Sequence, residues 1–202
     1  MTYAELKAQF NAILNRTDIT DSLTTIFINQ AQTRAQRSLR IPAQETVATT
    51  TVTDGFIGTA VPTDFMQTIA MIADSNGSNI EYVPLSRFYE IDDDTTGVPK
   101  YFTRRGATFL FKPTPTTDST ITHLYYGELT PLVLDADETV ISTVAPDLII
   151  YGALSYAADY FLDERGANFE QRYQSIADDL QNQAYDAEGP GVIQPAYSFG
   201  SD

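Results

Sequence analysis

The strongest constraint on this chain is a change in the spacing of its apolar residues. The spacing is helical at the start, alternating in the middle and helical again near the end. Helices and strands bury side chains with periods of 3.6 and 2 residues, so one stretch cannot serve as both. Tyr3, Leu6, Phe10, Ile13 and Leu14 recur at helical spacing behind Thr2 and Glu5, a capping-box pair. Asn15-Arg16-Thr17-Asp18 reads as a polar connector, and Asp18, Thr20 or Asp21 is placed to cap a second helix. That helix is predicted over residues 22–39, with Leu23, Ile26, Phe27, Ala31 and Ala35 apolar and Pro42 as its stop.

From Glu45 to about Tyr126 the period is two. Residues 46–53 are rich in Thr and Val, and Asp54-Gly55 predicts a hairpin leading into residues 56–61. Residues 65–73 form the next strand, with Asn76-Gly77 as a turn and residues 80–83 as a short strand. Residues 85–91 read as one or two helical turns. A second hairpin is predicted around Gly106, between residues 100–105 and 107–112, and residues 120–126 alternate as a strand.

Residues 128–146 read as mostly irregular, and Pro146 sits where prolines start helices. Residues 147–162 are apolar almost all round, which marks a buried central helix; Gly152, Ala153 and Ala157 admit close approach of another backbone. After Gly166, one stripe runs through Phe169, Tyr173, Ile176, Leu180 and Ala184. Gly189-Pro190-Gly191 and Pro195 then break the helix, yet the tail keeps Val192, Ile193, Tyr197 and Phe199. The expected fold is α+β: a four-helix bundle of two N-terminal and two C-terminal helices, interrupted by an inserted antiparallel β module and followed by an extended tail. The boundaries are 1–44 for the first helix pair, 45–130 for the β module, 131–187 for the second pair and 188–202 for the tail. Insertion is preferred over two separate domains, because the first helix pair alone offers too little apolar area for its own core.

The chain has no cysteine, so disulfides and thiolate chemistry are excluded. No segment approaches the ~20 apolar residues of a membrane span. Residues 1–10 read as a helix start rather than a signal peptide, so the product is expected to stay soluble in the cell that makes it. The net charge is −15 and is unevenly spread. Residues 1–44 carry five basic residues against three acidic ones, +2, and the remainder carries 7 basic and 24 acidic, −17. Free DNA is a poor partner for such a chain, because phosphate binding needs Lys and Arg to release counterions.

No catalytic or metal constellation stands out, and no cofactor is expected. His123, the one histidine, sits in the strand pattern Ile121-Thr122-His123-Leu124-Tyr125 and reads as a sheet residue. Asp92-Asp93-Asp94 lacks the alternating ligands, central Gly and late Glu of a calcium loop, and reads as a solvated loop; so do Asp135, Asp137 and Glu138. Arg34, Arg37 and Arg40 lie on the second helix, with Arg34 about 20° from Leu23 on the apolar side. An arginine there pairs with a carboxylate more readily than with nucleic acid, within the subunit or between subunits. Asp159, Asp163, Asp178 and Asp179 are candidate carboxylates that the last helices offer. The tail residues Val192, Ile193, Tyr197 and Phe199 read as a strap that orders on a partner, against the alternative of a disordered terminus.

Several short motifs, in this order, carry a resemblance. They are Asn15-Arg16-Thr17-Asp18, Ile28-Asn29-Gln30-Ala31-Gln32, Arg37-Ser38-Leu39-Arg40 and Val61-Pro62-Thr63-Asp64-Phe65. Gly97-Val98-Pro99-Lys100-Tyr101, Phe111-Lys112-Pro113-Thr114-Pro115, Leu124-Tyr125-Tyr126 and Ala145-Pro146-Asp147-Leu148-Ile149-Ile150-Tyr151-Gly152-Ala153-Leu154 follow. Together they resemble the head-to-tail adaptor (connector, or head-completion) family of tailed bacteriophages, over roughly residues 3–180. The resemblance implies a helical bundle with a β insertion and a closed ring, typically a dodecamer, beneath the portal protein. It implies a structural virion protein at the head–tail junction, not an enzyme, with DNA passing through the ring and tail or nozzle proteins held below. It also suggests that Val192, Ile193, Tyr197 and Phe199 reach the portal or a neighbouring subunit. The alternative is another non-enzymatic tail or neck protein of similar layout.

Overall fold

In a computed structural model, residues 1–53, 55, 58–91 and 96–187 are described. Helix α1 (Tyr3–Leu14) opens on the capping box: the Thr2 hydroxyl accepts from the Glu5 amide, and the Glu5 carboxylate accepts from the Thr2 amide. Of the candidate caps for α2 (Asp21–Ser38), Thr20 takes the role, accepting from the Leu23 amide at 3.3 Å. Strands β1 (Glu45–Val52), β2 (Gly58–Ala60), β3 (Phe65–Ala73), β4 (Ser78–Asn79) and β5 (Glu81–Tyr82) follow. Helix α3 (Leu85–Glu90) precedes β6 (Tyr101–Arg105), β7 (Thr108–Lys112) and β8 (Ser119–Gly127). Helices α4 (Val140–Val144), α5 (Pro146–Phe161) and α6 (Gly166–Ala187) complete the described chain.

The expected four-helix bundle interrupted by an inserted antiparallel β module is not what forms. Among the described residues there are six α-helices and two four-stranded sheets, ordered β1-β8-β3-β4 and β2-β7-β6-β5. The β part is a two-sheet structure with its own apolar core, and β5 pairs with β6 in parallel. The six-residue α3 falls in the stretch read as one or two helical turns, whereas α4 escaped the periodicity because its five residues are too few to show a 3.6-residue repeat. Thr139 caps α4 and exchanges hydrogen bonds with Ser142, so local capping stabilises a helix too short to persist alone.

The hairpin expected at Asp54-Gly55 is also corrected. β1 pairs along all its eight residues with β8, while β2 pairs with β7 in the other sheet. The nine-residue β8 offers β1 a longer ladder than the three-residue β2 can. Between β1 and β2, the Thr50 and Thr59 hydroxyls share a hydrogen bond of 2.8 Å. The hairpin at Gly106 does form, with that glycine at φ 62° between β6 and β7.

The chain divides into two compact units, Met1–Ala43 with the chain from Leu129 onward, and Gln44–Glu128. The helical unit packs Leu6, Phe10, Phe27, Ile28 and Ala31 against Leu148, Ile149, Ala153, Leu154 and Tyr173. At Gly152 a Cβ would lie 3.0 Å from the Ala31 Cβ and 3.1 Å from the Tyr173 ring, so this glycine sets how closely α2 and α6 approach α5. The β unit buries Val52, Met71, Ile80, Phe102, Phe109, Phe111 and Ile121. Asp92, Asp93, Asp94 and the tail with Val192, Ile193, Tyr197 and Phe199 lie outside the described residues.

Candidate functional site

The three arginines of the α2 region have three different fates. Arg34 reaches from α2 to α6, where its Nη1 donates to Glu170 Oε2 at 2.8 Å and its Nη2 donates to Glu170 Oε1. A bidentate fork of this kind fixes orientation as well as charge. The guanidinium also lies 4.0 Å from the centre of the Tyr173 ring, in cation–π contact. Ser155 Oγ of α5 and Gln174 Nε2 of α6 each donate to the same carboxylate at 2.9 Å. The Arg34 hydrogen bond, opposed by burial and helped by Gln174 and Ser155, holds the Glu170 carboxyl down at about 2. The cluster therefore ties three helices together within one subunit.

Arg40 works at the end of α2. Its Nη1 donates to the Gln36 and Leu39 carbonyls at 3.0 and 2.6 Å, groups a helix C-terminus leaves unsatisfied. Gln181 of α6 clamps the Arg40 backbone, accepting from its amide at 3.1 Å and donating to its carbonyl at 3.2 Å. Arg37 is exposed, with Nε 3.4 Å from the Thr33 carbonyl. It lines a shallow groove of about 470 Å³ with Thr25, Ile26, Asn29, Gln30, Thr33 and Tyr156. On the other side of Tyr156, a second depression of about 440 Å³ is lined by Asp159, Leu162, Asp163 and Glu170, among others.

Sequence reasoning did not find Glu170. It named Asp159, Asp163, Asp178 and Asp179, whereas Asp163 is engaged by Arg165 at 2.6 Å and is held at about 2 by it. The available signal was position. Glu170 precedes Tyr173 by three residues, which puts it on the flank of the apolar stripe, where a carboxylate meets a neighbouring helix.

The other residues singled out do structural work. His123 is buried on β8, 3.1 Å from the Thr68 hydroxyl, with its ring 4.8 Å from Tyr125, 5.2 Å from Phe109 and 5.6 Å from Phe65. Burial lowers its pKa to about 4, so it is neutral near pH 7. Asp137 accepts from the Val133 and Leu134 amides at 2.9 and 2.7 Å, and Asp135 pairs with Lys7 at 2.6 Å. That pinned turn leaves Val133 and Leu134 72% and 67% exposed. No group of three or more metal-capable side chains occurs among the described residues. No helix of those residues is long and apolar enough to cross a membrane.

Motifs distant in sequence meet in the β unit: Tyr125 donates through its hydroxyl to Asp64 Oδ1 at 2.9 Å, joining the Val61–Phe65 and Leu124–Tyr126 motifs. Arg16 grips Asp18 at 2.8 and 2.7 Å within the first motif. Such motif residues are framework, and a framework shared across a family should match along the whole chain. The sequence profile of the SU10 adaptor protein family matches residues 1–194. The chain belongs to that family. The match covers both compact units and agrees with the phage-adaptor resemblance drawn from the motifs. No curated protein matches the chain in sequence. As a bacteriophage adaptor it falls among structural virion proteins.

Proposed function

We propose that this adaptor is a ring-forming subunit at the head-to-tail joint of a tailed bacteriophage. Copies assemble under the portal protein, extend the DNA channel and present the attachment surface for tail or nozzle proteins. The observation that carries the reading is the adaptor-family match along 194 of 202 residues. The chemistry supports it. Closed rings need two different patches, one on each side of the subunit. The helical unit offers Arg37 beside one groove and a mainly acidic rim beside the other. A strongly acidic subunit also repels phosphates, which lets a duplex slide through a channel without being gripped.

Val192, Ile193, Tyr197 and Phe199 supply a contact to the portal or to a neighbouring subunit. The test is imaging and mass measurement of the full chain mixed with its portal. A closed ring on the portal is the expected result. A chain that stays off the portal, with and without its last fifteen residues, refutes the reading.

A further inference from the structure

Leu162 stands at the turn between α5 and α6 with φ 54°, in the left-handed conformation, and is 90% exposed. A Cβ makes that conformation costly, and helix ends that use it favour glycine or asparagine. The end of α1 follows this rule, with Asn15 at φ 52°. At the end of α5 the Asp163 amide donates to the Ala158 carbonyl at 2.8 Å, so backbone groups close the helix without the Leu162 side chain. Strain at a non-glycine residue persists where the surrounding structure fixes it, and such residues cluster at functional positions.

The residues on either side of Leu162 are fastened. Arg16 lies over the Phe161 ring, 4.2 Å from its centre. Asp163 is held by Arg165 at 2.6 Å, and Arg165 Nη2 donates to the Leu14 carbonyl at 3.0 Å. An apolar side chain that projects from a fixed turn loses little freedom when it is buried, which suits it to anchor an interface. Asp159 and Glu164, both exposed, flank it.

Charge selects what covers it. Residues 1–44 carry +2 and the remainder carries −17, so two copies attract best where the first helices of one meet the acidic surface of the other. The groove of about 470 Å³ on α2 answers that description. Six of its seven lining residues come from residues 1–44, Ile26 is 45% exposed, and Arg37 is the one charged residue of the lining. Leu162 belongs to the depression on the other side of Tyr156, so it does not fill the groove of its own subunit.

We propose that Leu162 is an assembly anchor that seats in the α2 groove of a second copy, against Ile26, with its acidic flank on the side of Arg37. The contact joins two different patches, as a closed ring requires. It rests on the reading of the chain as a ring subunit and names one contact between neighbours.

Leu162→Gly separates the two roles of the residue. In the isolated full-length chain it should hold or raise the urea midpoint, because glycine relieves the left-handed backbone. On the portal it should weaken ring assembly about tenfold or more, measured by sedimentation, while Leu162→Met, which keeps an apolar side chain, stays within about twofold of the unaltered chain. A Leu162→Gly chain that assembles like the unaltered one overturns the proposal, and so does one whose urea midpoint falls. The acceptor is tested by mixing Leu162→Cys chains with Ile26→Cys chains on the portal and adding a short bismaleimide, since the chain has no native cysteine. Links between the two variants should outnumber links within each, and a random mixture overturns the assignment. If the unaltered chain closes a ring and Leu162→Gly closes it equally well, the ring reading stands and this contact falls. If the unaltered chain never assembles on the portal, both fall.

Discussion

The Arg34–Glu170 cluster predicts a coupling that vanishes in acid. Consider Arg34→Met, Glu170→Gln and the double variant, each keeping the approximate volume of the side chain. A carboxyl held at about 2 against an ordinary 4.5 corresponds to roughly 3 kcal/mol if it is fully shielded. The side chains are 22% and 38% exposed, however, and solvent screening removes more than half of that. A coupling of about 1 kcal/mol is therefore expected at pH 7. Because the folded pKa is depressed, this stability is fully present above about 4.5 and is lost as pH falls through about 2. The assay is urea unfolding followed by helical circular dichroism in a double-mutant cycle at pH 7, 5, 3 and 2. A coupling below about 0.3 kcal/mol at pH 7, or one unchanged at pH 2, refutes the account of Glu170 as a tether between helices.

Other perturbations follow from the same geometry. Gly152→Val places a side chain where a Cβ already meets Ala31 at 3.0 Å, and should cost about 1–3 kcal/mol in urea unfolding. His123, neutral with its pKa lowered to about 4, contributes stability that is present above its ordinary 6.5 and lost as pH falls toward 4. His123→Leu should flatten the stability profile across that window, read as urea midpoints between pH 7 and pH 4. Arg37→Glu, at an exposed position, should leave the melting temperature within about 2 °C while weakening ring assembly on the portal, measured by sedimentation.

The legible parts of the fold were those encoded locally. Thr2 with Glu5, Pro146, and the stripe from Phe169 to Ala184 each specify a helix from within a few residues, and α1, α5 and α6 follow them. Strand partners are chosen over long separations, and the sequence carries no local record of that choice. Asp54-Gly55 signalled a turn, but the ladder from Glu45 to Val52 was won by a strand more than sixty residues away. The same limit hid Glu170 from Arg34, because the two meet only once α2 and α6 are side by side. Arg40 donates to the carbonyls of its own helix end, a contact that charge patterning alone does not announce.

Where the chain leaves and re-enters the helical unit, neutral amides do the fastening. Gln181 clamps Arg40 near the exit, while at re-entry Gln36 accepts from the Leu129 amide at 3.2 Å and Gln32 donates to the Thr130 carbonyl at 2.9 Å. Hydrogen bonds between neutral groups are little affected by ionic strength, whereas exposed charges are screened within about 10 Å at 0.1 M salt. These crossing points therefore depend weakly on salt, and an assembly that uses the acidic surface and Arg37 depends on it strongly. Raising salt from 0.05 to about 0.5 M should shift ring assembly on the portal several-fold while moving the urea midpoint of the isolated chain by less than about 0.3 M. Parallel salt responses of the two would mean that charge holds the subunit itself together, and the assignment of charge to the surface between subunits would be wrong.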